Sequence, residues 1–186
     1  MKIKTSSMIL LAKTEIADKY LFGAYKNNGE ATGFIDLPED HKRFISKLTG
    51  MQTIMGANTL KATPADFPDG GRICITHHPD QIEKGAIPAP NIRSGIEIAK
   101  KRAEIQNQKV VYVIGGASII RQCIDLNLLD EIELTLTYGH QKDVPNPVYL
   151  DFHPDDWKIT EDSGLLISKN SKPKNLKYRF LTLNRK

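Results

Sequence analysis

The stretch Val110-Val-Tyr-Val-Ile-Gly-Gly-Ala-Ser-Ile-Ile120 decides the fold class. Its first five residues are almost wholly apolar, as suits a central strand of a parallel sheet, which other elements cover on both faces. Gly115-Gly116 ends the run, and a helical pattern over Ser118–Leu126 follows it. Two glycines at a strand-to-helix junction let a ligand approach the backbone, and the free N–H groups and dipole of the following helix can hold a phosphate. A plain strand-to-helix turn accounts for this segment equally well. There is no GxGxxG fingerprint, no P-loop, and no acidic residue placed as the dinucleotide motif requires.

Working outward, β-rich apolar runs occur at Met8–Ala12, Thr53–Met55, Arg72–Thr76, Ile132–Thr137 and Tyr178–Leu183, with weaker ones near Asn91–Ile92 and Trp157–Ile159. With Val110–Ile114 they make about eight strands. Helical periodicity covers Pro38–Leu48, Gly95–Gln106 and Ser118–Leu126. Strands alternating with helices predict crossover connections, hence an α/β fold with a largely parallel sheet covered on both faces. The last run alternates, Tyr178, Phe180, Leu181 and Leu183 falling among Arg179, Thr182 and Asn184, and is expected to close the sheet as an antiparallel C-terminal hairpin after a polar turn at 169–176. Residues 63–71 and 140–147 are dense in Pro, Gly, Asp and Asn and read as loops.

The chain has 186 residues, 40% of them apolar and 26% charged, an ordinary globular balance that argues against a disordered, collagen-like or fibrous protein. A chain of this size buries about 70% of its extended surface on folding, enough for one core with a cleft, so residues 1–186 are expected to form a single domain. The net charge is +4, with the excess in Lys2 and Lys4 and in a run from Lys169 through Lys172, Lys174, Lys177 and Arg179 to Lys186. A nucleic-acid protein usually carries a denser basic stripe with interleaved aromatics, so these lysines read as a solvated loop and terminus. Cys74 and Cys123 lie in apolar stretches, as buried thiols of a reducing compartment do. The longest apolar run near the N-terminus, Met8–Ala12, is far short of an export signal or a membrane span, so a cytoplasmic enzyme or binder without membrane association is expected.

Three segments could carry chemistry. In Asp36-Leu-Pro-Glu-Asp-His-Lys-Arg-Phe-Ile-Ser-Lys-Leu48, Asp36 can cap a helix, Pro38 suits its first turn, and Leu37, Phe44, Ile45 and Leu48 form the buried stripe. Asp40 lies three residues after Leu37 and four before Phe44, at the edge of that stripe. A carboxylate there must find donors, face a cleft, or hold its proton through a raised pKa, and the last two suit a proton donor to a bound heterocycle. Service to the helix dipole is the competing reading. Thr53-Ile-Met-Gly-Ala-Asn-Thr-Leu60 is again a strand entering a helix through a glycine, with Asn58 and Thr59 able to cap it or to touch a phosphate. The double glycine of Val110–Ile120 is the third. Cys74, His77 and His78 lack a second ligand pair at zinc spacing, so no metal is expected, and there is no G-x-S-x-G nucleophile elbow.

In order and spacing these segments resemble the dihydrofolate reductase family, shared with the reductase domain of riboflavin biosynthesis. Leu37-Pro38-Glu39-Asp40 with Phe44 looks like the family's first active-site helix, Ile54-Met55-Gly56 with Thr59 like its cofactor-binding turn, and Val113-Ile114-Gly115-Gly116 like its double-glycine site. Leu134-Thr135, Pro154-Asp155-Asp156-Trp157 and Phe180 with Leu183 add further matches over residues 8–184. The resemblance implies a mixed, mainly parallel eight-stranded sheet flanked by helices, with NADPH across the carboxyl ends of the central strands and a pterin-like ring in the cleft, and places the protein in one-carbon metabolism and tetrahydrofolate biosynthesis. It implies that Asp40 binds the pteridine amide edge and promotes ring protonation, that Phe44 packs on the ring, and that Thr135 supports Asp40. Ala12, Gly56, Asn58, Thr59, Ile114, Gly115, Gly116, Ala117, Ser118 and Ile119 would hold the cofactor, with Thr76, His77 and Arg93 at its adenosine 2′-phosphate. Hydride transfer belongs to the cofactor, so the protein's task is to orient the rings and manage one proton.

Four departures bear on the substrate. Ala57 stands where many relatives have an arginine after the cofactor-turn glycine. Arg72, the candidate for a folate carboxylate clamp, lies about two residues off register after Gly70-Gly71. The segment from Tyr20 to Phe34 reads as a long loop without the family's tryptophan, and Ile120 replaces an aromatic residue. The leading expectation is an NADPH-dependent reductase of dihydrofolate, as a monomer or homodimer that does not bind nucleic acid. A reductase of a ribosylated aminopyrimidine, as in the riboflavin pathway, is the second reading. A non-catalytic nucleotide or nucleic-acid binder is the third.

Overall fold

In a computed structural model of the chain, residues 2–63, 67, 69–82, 85–139 and 144–186 are described. In chain order the elements are β1 (Lys4–Lys13), β2 (Lys19–Tyr25), β3 (Ala31–Thr32), α1 (Pro38–Leu48), β4 (Gln52–Gly56), α2 (Ala57–Lys61), β5 (Gly71–Ile75), β6 (Ile87–Ala89), α3 (Ile92–Ile105) and β7 (Val110–Gly115). There follow α4 (Ala117–Asp125), β8 (Glu131–Tyr138), β9 (Pro147–Asp151), β10 (Trp157–Asp162), β11 (Leu166–Ser168) and β12 (Leu176–Arg185). The loops expected at 63–71 and 140–147 fall partly outside the described residues.

The chain forms two compact units, one from the N-terminus to Met8 with Phe44–Asp130, the other from Ile9–Arg43 with Glu131–Lys186. The first holds the parallel part of the sheet, in the order β1-β7-β4-β5-β6. Val111 and Val113 of β7 are fully buried, as the nearly continuous apolar run requires. Helix α3 packs on β4 and β5 through Gly95, where a Cβ atom would stand 2.5 Å from Ile75 Cδ1, so any side chain there would force the Ile75 terminal methyl to move.

The second unit takes the rest of β1 and continues through β8 and β12 to β10. Strand β12 is antiparallel to β8, with Phe180 opposite Thr135 and Thr182 opposite Glu133, and β11 turns back onto β12 as the expected C-terminal hairpin. Counted together, the two runs hold eight strands with β1 counted once, a mixed and mainly parallel sheet with helices beside it, and β2, β3, β9 and β11 pair off this path among the described residues.

Three local expectations are corrected. Residues Tyr20 to Phe34 are not a loop throughout: β2 and β3 lie there, and β2 pairs with β9, which is more than 120 residues away in the chain at Tyr20 and Leu150. Tyr20, Leu21 and Ala24 are buried by that long-range partner, which no local pattern announces. Asn91–Ile92 is not a strand; Asn91 caps α3, its Oδ1 accepting from the Ser94 amide at 3.0 Å, and the strand ends earlier, at Ala89. Asp36 does not cap α1. Its backbone instead exchanges hydrogen bonds with Lys172, at 3.1 and 2.8 Å, and the Leu37 carbonyl accepts the first helical bonds from Asp40 and His41.

Candidate active site

The first turns of α1, up to Arg43, and strands β8 and β12 carry one group of candidate residues, inside the second unit. Strand alternation turns Glu133 and Thr135 to the same face of β8, and their cross-strand partners Thr182 and Phe180 extend that face onto β12. The start of α1 anchors there through buried Leu37, which clusters with Leu176 and Tyr178. One turn on, the Thr135 hydroxyl donates to Asp40 Oδ1 at 2.5 Å, a length that belongs to an O–H···O bond onto a charged oxygen. Burial pushes the Asp40 carboxyl above the usual carboxylate range; the Thr135 hydrogen bond, then the positive fields of Arg43 and His41, pull the other way and do not offset it. Asp40 therefore holds a proton at higher pH than an exposed aspartate.

Arg43 and Glu133 are functional candidates that the sequence reading missed. Arg43 follows Asp40 by three residues, its Nη2 donates to Glu133 Oε2, and its guanidinium lies 4.8 Å from the centre of the Phe180 ring. Both side chains are largely buried, at 15% and 5% exposure. The signal was present in the alternation of Glu133 with Thr135 and in the i, i+3 spacing on the helix, but which cation meets which carboxylate is a tertiary fact.

A separate group of candidate residues lies in the first unit, at the carboxyl ends of β4 and β7. There β7 ends at Gly115, whose φ of +132° is open to glycine and strained for other residues, and a cis peptide joins it to Gly116. Gly116 opens α4 and Gly56 opens α2, and neither helix start has a side-chain cap. Asn58 and Thr59 thus do not cap α2, because they lie inside it rather than before it. The two turns meet: a Cβ at Gly116 would be 3.3 Å from Thr59 Oγ1, and one at Gly56 would be 3.3 Å from Ile119 Cγ1 and 4.0 Å from the Gly116 amide. Ala117 and Ser118 form the first turn of α4, while the amides of Ile119 and Ile120 return to the Gly116 carbonyl. Half-buried Ile114 packs against the Met8–Leu48–Tyr112 cluster, which Phe44 joins, and Phe44 also meets Phe67 edge-on at 5.9 Å.

The remaining candidates are spread more widely. Thr76 follows β5 at the edge level with Gly56, its Oγ1 accepting from the His78 amide at 3.0 Å; His77 and Arg93 are exposed, Arg93 in the first turn of α3. Arg72 is opposite Thr53 near the amino end of β5, three residues before the Gly56 level and so about 10 Å along the strands from the glycine turns. Ala12 is fully buried in β1 opposite Leu21 of β2, in the second unit. Among the described residues no group of three or more His, Cys, Asp and Glu could hold a metal ion, and no helix is long and apolar enough to cross a membrane.

The glycine turns fit an extended phosphate-bearing cofactor. Two uncapped helix starts bring amide donors together, and at the point of closest approach a side chain on Gly116 would crowd Thr59. A curated dihydrofolate reductase, HdrB of Haloferax volcanii, is similar at 28% identity over 90 residues, a segment covering 46% of this chain and 46% of that protein, which is less than half the length of the relative. The family model described as dihydrofolate reductase matches residues 29–185, a span that takes in α1 with Asp40, both glycine turns and the β8–β12 pair. The chain belongs to the dihydrofolate reductase family.

Proposed function

We propose that this chain reduces dihydrofolate to tetrahydrofolate, using NADPH. The observation that carries the reading is the desolvated Asp40 carboxyl held by the Thr135 hydroxyl at 2.5 Å on the helix the family uses for its substrate. When bound, the nicotinamide supplies the hydride. Gly56, Thr59, Gly115, Gly116, Ala117, Ser118 and Ile119 would hold the cofactor's phosphates and nicotinamide end, with Asn58, Ile114 and Ala12 beside them. Thr76, His77 and Arg93 would meet the 2′-phosphate; Arg93 is the cation available for NADPH selection now that Ala57 stands at the position after Gly56. Phe44 would pack on the substrate ring. Thr135 fixes Asp40 Oδ1, so Oδ2 would take the amide edge of the ring. The raised carboxyl then keeps a proton in reach of the ring nitrogen at a pH where an exposed aspartate has lost it.

A second reading, reduction of a ribosylated aminopyrimidine, draws on Arg72. Its position near the amino end of β5, off the register of the family's folate-carboxylate clamp, supports that reading. One assay separates the two. NADPH oxidation with dihydrofolate should proceed in the wild type and fall about 100-fold or more in Asp40→Asn, with NADPH binding retained. A wild type that binds NADPH but does not turn over dihydrofolate overturns the first reading and favours the aminopyrimidine.

A further inference from the structure

The ion pair next to Asp40 is more than a brace. Arg43 and Glu133 are buried on the face that carries Asp40 and Thr135, and their placement repeats that pair one step along: Asp40 to Thr135, then Arg43 to Glu133, two residues apart on the strand and three on the helix. Two contacts hold the guanidinium and leave its third edge unpartnered. Nη2 is on Glu133, the plane is over Phe180, and Nη1 is buried with no hydrogen-bond partner. An unpartnered, desolvated N–H is costly, and the negative charge of Asp40, on which Arg43 acts, is an acceptor that would relieve it. Glu133 is itself held, its Oε2 accepting from the Thr182 hydroxyl at 3.3 Å, a hydroxyl that also lies 3.0 Å from Glu161 Oε2.

We propose that Glu133 is a positioning residue for the active site: it keeps the Arg43 guanidinium near Asp40 while preventing it from closing onto the Asp40 carboxylate, so that Asp40 stays available to exchange a proton. The proposal rests on the reading of Asp40 as the proton-managing group. Among the described residues, the cations acting on Asp40 are Arg43 and His41, both on its own helix, and Glu133 on β8 pairs with Arg43. Glu39 is taken up by the Ser168 hydroxyl at 2.9 Å, and on β12 Arg179 pairs with Asp162 at 3.4 Å, while Tyr178 responds to Glu39. Arg43 is the larger of the two cationic influences on Asp40, and Glu133 holds Arg43.

The test reads Asp40 directly and needs no substrate. In protein labelled with 13C at the aspartate carboxyls, the Asp40 resonance is identified by its loss in Asp40→Asn and followed against pH. Glu133→Gln removes one negative charge and frees Arg43 to turn, so Asp40 should titrate about 1 pH unit or more lower than in the wild type. Glu133→Asp keeps the charge but draws it back by one methylene, and should move the titration part of the way. Should Glu133→Gln not fold, the double variant Arg43→Met with Glu133→Gln removes the pair together and should raise the Asp40 titration above that of the wild type. An Asp40 titration unchanged in the folded variants overturns the proposal and leaves the pair a structural brace. Because the signal is the carboxyl itself, these outcomes stand apart from whether dihydrofolate is the substrate.

Discussion

Replacing Thr135 by valine tests the central contact of the site. The substitution keeps the β-branched shape on β8 and removes the hydroxyl that donates to Asp40 Oδ1 at 2.5 Å. A hydrogen bond onto a charged group stabilises a protein by about 1.5–3 kcal/mol, and one between neutral groups by about 0.5–1.5 kcal/mol. The cost of Thr135→Val should therefore be about 1–1.5 kcal/mol larger when Asp40 is ionised than when it is protonated. At 1.36 kcal/mol per pH unit, that difference raises the Asp40 titration by roughly 1 pH unit, in the same direction as the burial that already raises it. The sign follows from proton linkage. The variant's native state holds the Asp40 proton to higher pH than the wild type does, so its stability falls further behind as pH rises through the Asp40 titration. Urea unfolding of wild type and variant at half-unit steps from pH 4 to pH 9 reads this as a difference that grows and then levels off. A difference that is the same at every pH would refute the reasoning, because it would mean that the hydroxyl does not discriminate between the two states of Asp40.

Other consequences can be checked in parallel. Asp40→Asn should gain stability relative to the wild type as pH rises from the unfolded aspartate value through the raised folded one, since the native wild type binds the extra proton in that window; urea midpoints across pH read it. Gly95→Ala places a Cβ 2.5 Å from Ile75 Cδ1 and should destabilise the first unit by about 1–3 kcal/mol through overpacking, seen as a lower denaturant midpoint. Gly116→Ala crowds Thr59 Oγ1 at 3.3 Å and should weaken NADPH binding measured by fluorescence quenching, with little change in circular dichroism. Cys123, buried with its thiol pushed up to about 12, should react with a thiol reagent only on the timescale of unfolding, and a rapid native-state reaction would contradict its burial.

The sequence by itself determined the strand-and-helix order of the parallel part, because those elements announce themselves locally. An apolar run closed by glycines, as at Val110–Gly116, specifies a buried strand and a helix start without reference to any other segment. The periodicity of 38–48 likewise put Asp40 at the border of an apolar stripe. Strands β2 and β9 were illegible because each is stabilised by the other across a long stretch of chain, so neither carries its own pattern. Capping was misread for a related reason. Asp36, Asn58 and Thr59 are all competent caps, but Asp36 is drawn into a bridge with Lys172 and the other two fall inside their helix. The site divides in the same way. The sequence could nominate Asp40 and the glycines from residue type and spacing, whereas the Thr135 hydroxyl on Asp40, the Thr59 contact at Gly116 and the Arg43–Glu133 pair exist only because helix and strands are brought together. A hydrogen bond or an ion pair is a relation between two positions, and the chain's local chemistry lists the groups that can enter it while the packing of the sheet decides which of them meet.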